Sequence, residues 1–214
     1  MSAVQKPFPY DRVNNFSDAI FAIGITLLVL EVKVPTATEI SELGVSGLLN
    51  KRIPYFIGYF VSFMVTALYW RSHLQLFQWV KAIDNKLLWL NLWLLFFVVL
   101  LPFSTALYSY FFDVDSAFAC YCLNLAAIGF MSYLMAIYVV KKENVVEQIG
   151  SDKAKWMKTR VLIGPLIFLL CIPIMWITPL GGRLGFLLIF LFQAIGDRRI
   201  KNKEVKAEAT PTAE

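Results

Sequence analysis

Charge is confined to short blocks in this chain, and the apolar runs between them are long enough to cross a bilayer. A hydrocarbon core about 30 Å thick takes about 20 apolar residues of helix. A segment alone in lipid must satisfy its own backbone hydrogen bonds, so each run is read as a helix. Only 16% of the 214 residues are charged and 58% are hydrophobic, with a mean hydropathy of +0.64. A soluble domain is nearer a quarter charged. The pattern predicts an all-α integral membrane protein with no room for a separate soluble domain. Six transmembrane helices are read, at about 16–34, 53–71, 87–111, 118–140, 161–177 and 183–196. They form one unit over residues 1–200, and the charged, Ala/Thr/Glu-rich segment 201–214 reads as a disordered cytoplasmic tail.

Charge placement sets the orientation. With the N-terminus inside, all 20 basic residues except Lys33, Lys51, Arg52 and Arg183 fall on the cytoplasmic side. That is a strong positive-inside asymmetry, and it predicts cytoplasmic N- and C-termini for a multi-pass protein of the cell (plasma) membrane. The net charge of +5 follows from this topology; binding nucleic acid would need a basic folded surface that the chain lacks. The N-terminus has no basic region ahead of an apolar core and cleavage site, so no cleavable leader is expected. Trp70, Trp79, Trp89, Trp156 and Trp176 lie near predicted interfaces, where tryptophan anchors a span. The external segment 35–50 is read as partly helical, and 72–86 as an amphipathic continuation of the second helix. Pro102, Pro165 and Pro173 predict kinks inside spans.

Converging ionisable groups are scarce, which argues against an enzyme. His73 is the only histidine, and Cys120, Cys122 and Cys171 lie inside spans in no metal-ligand pattern, so neither a cofactor nor a bound metal is expected. The intramembrane acids are Asp18 and Glu31, both near interfaces. Proton-coupled transporters usually carry relay acids or histidines deep in the bundle. At about 100° per residue, Phe16, Ala19, Leu27, Leu30 and Val34 all lie within about 40° of Ile23, and Thr26 about 60° to one side. Asp18 points about 140° away. The stripe is compatible with ordinary helix packing and with the lining of a narrow pathway. Asp18 is read as a clasp toward neighbouring helices, with Arg12, His73 or the Asp84-Asn85 pair as its partners, since an unpaired acid there is costly.

Arg12-x-x-x-Phe16-Ser17-Asp18 and the apolar run that follows to Pro35 resemble the first helix of the transmembrane-protein-175 potassium channels. The short prokaryotic members, with one six-helix unit per chain, are the nearer match. Trp70-Arg-Ser-His73 at the end of the second helix continues the resemblance, and the six-span layout extends it over essentially the whole chain. The resemblance implies a homotetramer whose central pore is lined by four copies of the first helix, passing K+ passively with no carbonyl filter. Thr-Val-Gly-Tyr-Gly is indeed absent from the sequence. It implies that Ile23, Leu27 and Leu30 form successive pore rings, with Ile23 the narrowest, and that Thr26 offers a hydroxyl to the ion. Arg12, Phe16, Ser17, Asp18, Trp70 and His73 then fall on a structural network at the cytoplasmic end. The partners expected are K+, the lipid bilayer and further copies of the chain, with no nucleic acid. A secondary transporter or an accessory membrane subunit is the alternative.

Overall fold

The computed structural model describes residues 8–208 except Lys33, Pro35 and Phe186. Helix α1 (Tyr10–Leu27) tightens into a 3-10 turn at Leu28–Glu31. Then come α2 (Ala37–Phe77), α3 (Asn85–Tyr110), α4 (Asp115–Lys142), the short α5 (Val145–Ile149) and α6 (Ser151–Ile177). α7 (Pro179–Leu184) and α8 (Leu187–Glu208) complete the described chain. Among the described residues, four helices are long and apolar enough to span a membrane. A fifth span forms if the parts of α2 at Gly44–Asn50 and Tyr55–Phe77, bent by 45°, are one crossing.

The sixth apolar run differs from its sequence reading. Arg183, expected to open it, instead lies in the last turn of α7 and donates to the Phe112 carbonyl at 2.6 Å. The apolar helix that remains is the shorter Leu187–Gly196. α8 itself continues to Glu208, so residues 201–208, read from composition as tail, are helical; 209–214 lie outside the described residues.

The external segment before the second span folds back on itself. Thr36 caps it, its Oγ1 accepting from the Glu39 amide at 3.3 Å while its own amide donates to Glu39 at 3.0 Å. Thirteen residues of straight helix would span about 20 Å, yet Arg52 reaches Glu39 at 3.0 Å. Gly44, at a φ of 63°, supplies the reversal. The Thr36 amide, backed by the Arg52 guanidinium, holds the Glu39 carboxyl below its ordinary value.

α4 lies at the centre, packed against α3 on one side and α6 on the other. Leu94, Val98 and Leu101 of α3 and Leu125, Ile128 and Met135 of α4 are fully buried there. α3 and α6 are continuous through Pro102, Pro165 and Pro173, where the sequence predicts kinks. Pro102 has no amide to offer the Val98 carbonyl. α1 lies against α3 at this level: a Cβ added at Gly24 would stand 3.3 Å from Val98 Cγ1.

α2 stops at Phe77 rather than running on through residues 72–86. The Trp79 and Val80 amides bond back to Leu76 and Phe77, and the turn buries Val80 and Ile83. Their apolar spacing reads as a helix but is satisfied by this turn. Asp84 then caps α3, accepting from the Leu87 amide at 2.9 Å, and pairs with Lys142 at 3.1 Å and with the Tyr138 hydroxyl. Burial pushes the Asp84 carboxyl up, but the bonds from Tyr138, Leu87 and Lys142 outweigh it and hold it below its ordinary 3.8. A depressed carboxyl stabilises the fold fully above that value and loses its contribution as pH falls through the lower folded one. Asp84→Asn should therefore lower the melting temperature at neutral pH and flatten its decline in acid. An acid profile as steep as the parent's would exclude Asp84 as a contributor.

Candidate functional site

α1 has two faces of opposite character. Ser17, Phe21, Gly24 and then Leu28, at spacings of four, three and four, are buried against the rest of the chain. The predicted stripe is on the other side: Ile23 is 53% exposed, Leu27 39% and Leu30 67%, with Phe16 and Val34 also exposed. Of the apolar window of α1 and its 3-10 turn, 22% is buried, against 50% for α4, so its own bundle leaves this helix largely uncovered. Leu30 falls in the 3-10 turn, where three residues make a turn, so the α-helical wheel does not strictly hold there. It remains exposed nonetheless. The Thr26 hydroxyl donates to the Ile23 carbonyl at 2.9 Å. Its proton being used internally, the oxygen has only lone pairs left to present outward.

The buried face is held by a polar chain across three helices. Ser17 Oγ donates to the Val13 carbonyl at 2.8 Å and accepts from Asn91 Nδ2 at 2.8 Å. Asn91 Oδ1 pairs with His73 Nε2 at 3.0 Å, and with the amide in this orientation only the histidine can donate. The His73 ring stacks on Phe77 at 4.0 Å and faces Phe21 at 5.7 Å. Ser17, His73 and Asn91 are all buried. Buried polar groups left unpaired in lipid are expensive, so each member keeps the other two in register.

Asp18 sits beside this chain with partners the sequence reading did not include. Its Oδ1 accepts from Trp70 Nε1 at 2.9 Å and its Oδ2 from Asn14 at 3.2 Å. Of the partners read for it, Asp84 serves as the α3 cap and His73 bonds Asn91. Arg12 is exposed, with no hydrogen bond or ion pair among the described residues, and Phe16 lies on the exposed stripe. The structure thus brings Ser17, Asp18, Trp70 and His73 together and leaves Arg12 and Phe16 outside. Asn91 and Asn14 were missed. The only signal for Asn91 was an amide interrupting an apolar run, which in a membrane helix marks an interhelical bond. Asp18→Asn keeps an acceptor for Trp70 but loses the charge assistance, and should cost about 1 kcal/mol, read as a lower melting temperature and assembly yield. A variant that melts and assembles like the parent would remove Asp18 from the anchor.

A second polar layer lies deeper in the bundle. Ser62 is 2.9 Å from both Thr105 and Tyr121, and Asn124 donates to Ser104 at 3.0 Å. These bonds tie α2, α3 and α4 through hydroxyls and an amide, with no carboxylate or histidine among them. They are joints between helices, not a set of groups able to relay protons or bind an ion by charge.

Residues 12–102 match the family described as the endosomal/lysosomal potassium channel TMEM175. A potassium channel of Chryseobacterium sp. is 30% identical, over 89% of this chain and 95% of that one. One of Streptomyces collinus is 32% identical, over 72% and 77%. The crystal structure of a lysosomal potassium-selective channel TMEM175 homolog from Chamaesiphon minutus superposes with a TM-score of 0.75 at 26% identity, covering 87% of this chain and 97% of that one. Relatives of matched length and a shared fold agree with the first-helix resemblance, and the chain belongs to the TMEM175 family of ion channels.

Proposed function

We propose that this chain assembles as a homotetramer in the cell membrane, with cytoplasmic termini, and passes K+ passively through a central pore lined by four copies of α1. The observation that carries this reading is the pairing of opposite faces on α1. One face is fixed by the Ser17–Asn91–His73 chain, while Ile23, Leu27 and Leu30 are left uncovered by the protein's own bundle. The relatives that are potassium channels, over matched lengths, support the ion. Each chain contributes a six-span unit, with the bent α2 as one crossing and the short apolar helix of α8 as the last.

An apolar ring excludes ions by dewetting when narrow and admits them when slightly wider. K+ gives up hydration water more readily than Na+, so a constriction at Ile23 favours K+ without a carbonyl cage. Thr26, with only lone pairs facing outward, is suited to replace part of that water. Selectivity built this way is weaker than that of a carbonyl filter, and small rotations of α1 change the ring diameter.

Liposomes containing only this protein should show K+-driven flux that exceeds the flux driven by an equal Na+ gradient. Uptake that saturates and requires a coupled ion would instead establish a transporter, and no flux from correctly assembled protein would reject the channel.

A further inference from the structure

Away from the exposed face of α1, a crevice of about 330 Å³ with polar and apolar walls lies between the end of α2 and the start of α6. Its walls carry Gln75 and Trp79 from the α2 end, and Lys153, Trp156, Arg160 and Val161 from α6. Arg160 Nη1 is held by Gln75 Oε1 at 3.2 Å, which fixes its guanidinium at the wall. The turn that ends α2 at Phe77 and the positive φ of Gly150 before α6 bring these two segments side by side.

Depth narrows the choice of occupant. Val161, on its wall, is the first residue of the apolar run of α6, so the span read at 161–177 sets the crevice at the boundary between hydrocarbon and headgroups. Tryptophans favour that boundary, and Trp79 and Trp156 both line it. Two cationic side chains stand on the polar side and an apolar surface below them. A soluble phosphate would match only the upper half; a lipid matches both. Basic pockets between helices on the cytoplasmic side suit anionic headgroups.

We propose that this crevice binds an anionic phospholipid of the adjacent leaflet, its phosphate between Lys153 and Arg160 and its glycerol region against Trp79 and Trp156. The site is separate from the permeation path and does not depend on which ion the pore passes.

The test is native mass spectrometry of the detergent-purified protein with phosphatidylglycerol and with phosphatidylcholine. The parent should retain phosphatidylglycerol preferentially. K153Q/R160Q should lose roughly 30-fold in that preference, about fivefold for each charge, whereas K155Q, on an exposed lysine outside the crevice, should keep it. K153Q alone, at an exposed position, gives the same reading at about fivefold if the double variant does not fold. Equal retention of both lipids overturns the site, and so does equal loss in K155Q, which would mean bulk attraction to the basic surface. Displacement of bound phosphatidylglycerol by millimolar inorganic phosphate would reassign the crevice to a soluble anion.

Discussion

Ile23→Asn is expected to raise conductance and to lower the K+/Na+ permeability ratio several-fold, toward parity. In the proposed tetramer the substitution acts four times in one ring. Each amide brings two donors and an acceptor to a surface that otherwise repels water. A wetted constriction no longer exacts the dehydration that separates the two ions. Ile23 takes no part in the Ser17–Asn91–His73 anchor and is half-exposed in the chain, so assembly should survive and the effect should be confined to permeation. Bilayer recordings in mixed K+ and Na+ solutions measure it. Unchanged conductance and reversal potential would place Ile23 outside the constriction.

Gly129→Ala should place a strongly damaging methyl at the centre of the bundle. A Cβ at this position would stand 2.6 Å from Pro165 Cδ, 3.0 Å from Pro165 Cγ and 2.7 Å from the Tyr69 hydroxyl. None of these can swing aside cheaply. The proline ring is part of the α6 backbone, and the Tyr69 hydroxyl is tied to the Leu125 carbonyl at 2.9 Å. The added carbon must therefore push α4 and α6 apart at the centre of the bundle. Overpacking of this kind typically costs about 1–3 kcal/mol. Gly164→Ala is the matched comparison, since the three atoms nearest its Cβ all belong to Tyr69, the closest being the hydroxyl at 3.2 Å. Thermal melting of the two purified variants should show a large fall for the first and a small one for the second. Equal melting temperatures would mean that the α4–α6 contact is looser than these distances.

The legible parts of this protein are those that the bilayer forces into a linear code. Apolar length, the confinement of basic residues and the 3.6-residue stripe of α1 each follow from one segment meeting one solvent. For that reason α3, α4 and α6 each contain their apolar runs nearly whole, α6 beginning a further ten residues upstream at Ser151. The apolar stripe through Ile23, Leu27 and Leu30 was readable for the same reason, though not that the bundle would leave it exposed. The pairing of Asp18 was not. Asn14 and Trp70 are four and 52 positions away, and many polar residues at span ends could have served equally well. Asn91 lies 74 positions from Ser17, and its role exists only because α3 brings it between α1 and α2.

The amino-acid sequence by itself determined that the chain lives in a membrane as helices, where its charges are confined, and which stripe of the first helix is apolar throughout. Those properties are sums over neighbouring residues in contact with lipid or water. Tertiary structure alone decided which face of that helix is held and which is left open. Burial of Ser17 against Asn91, and of Gly24 against Val98, depends on α3 meeting α1 along two of its turns. It also decided where helices stop: Gly44 reverses the external segment so that Glu39 can reach Arg52, and the turn after Phe77 buries residues that read as more helix. In each case the deciding energy is a contact between distant segments, and no local pattern carries it.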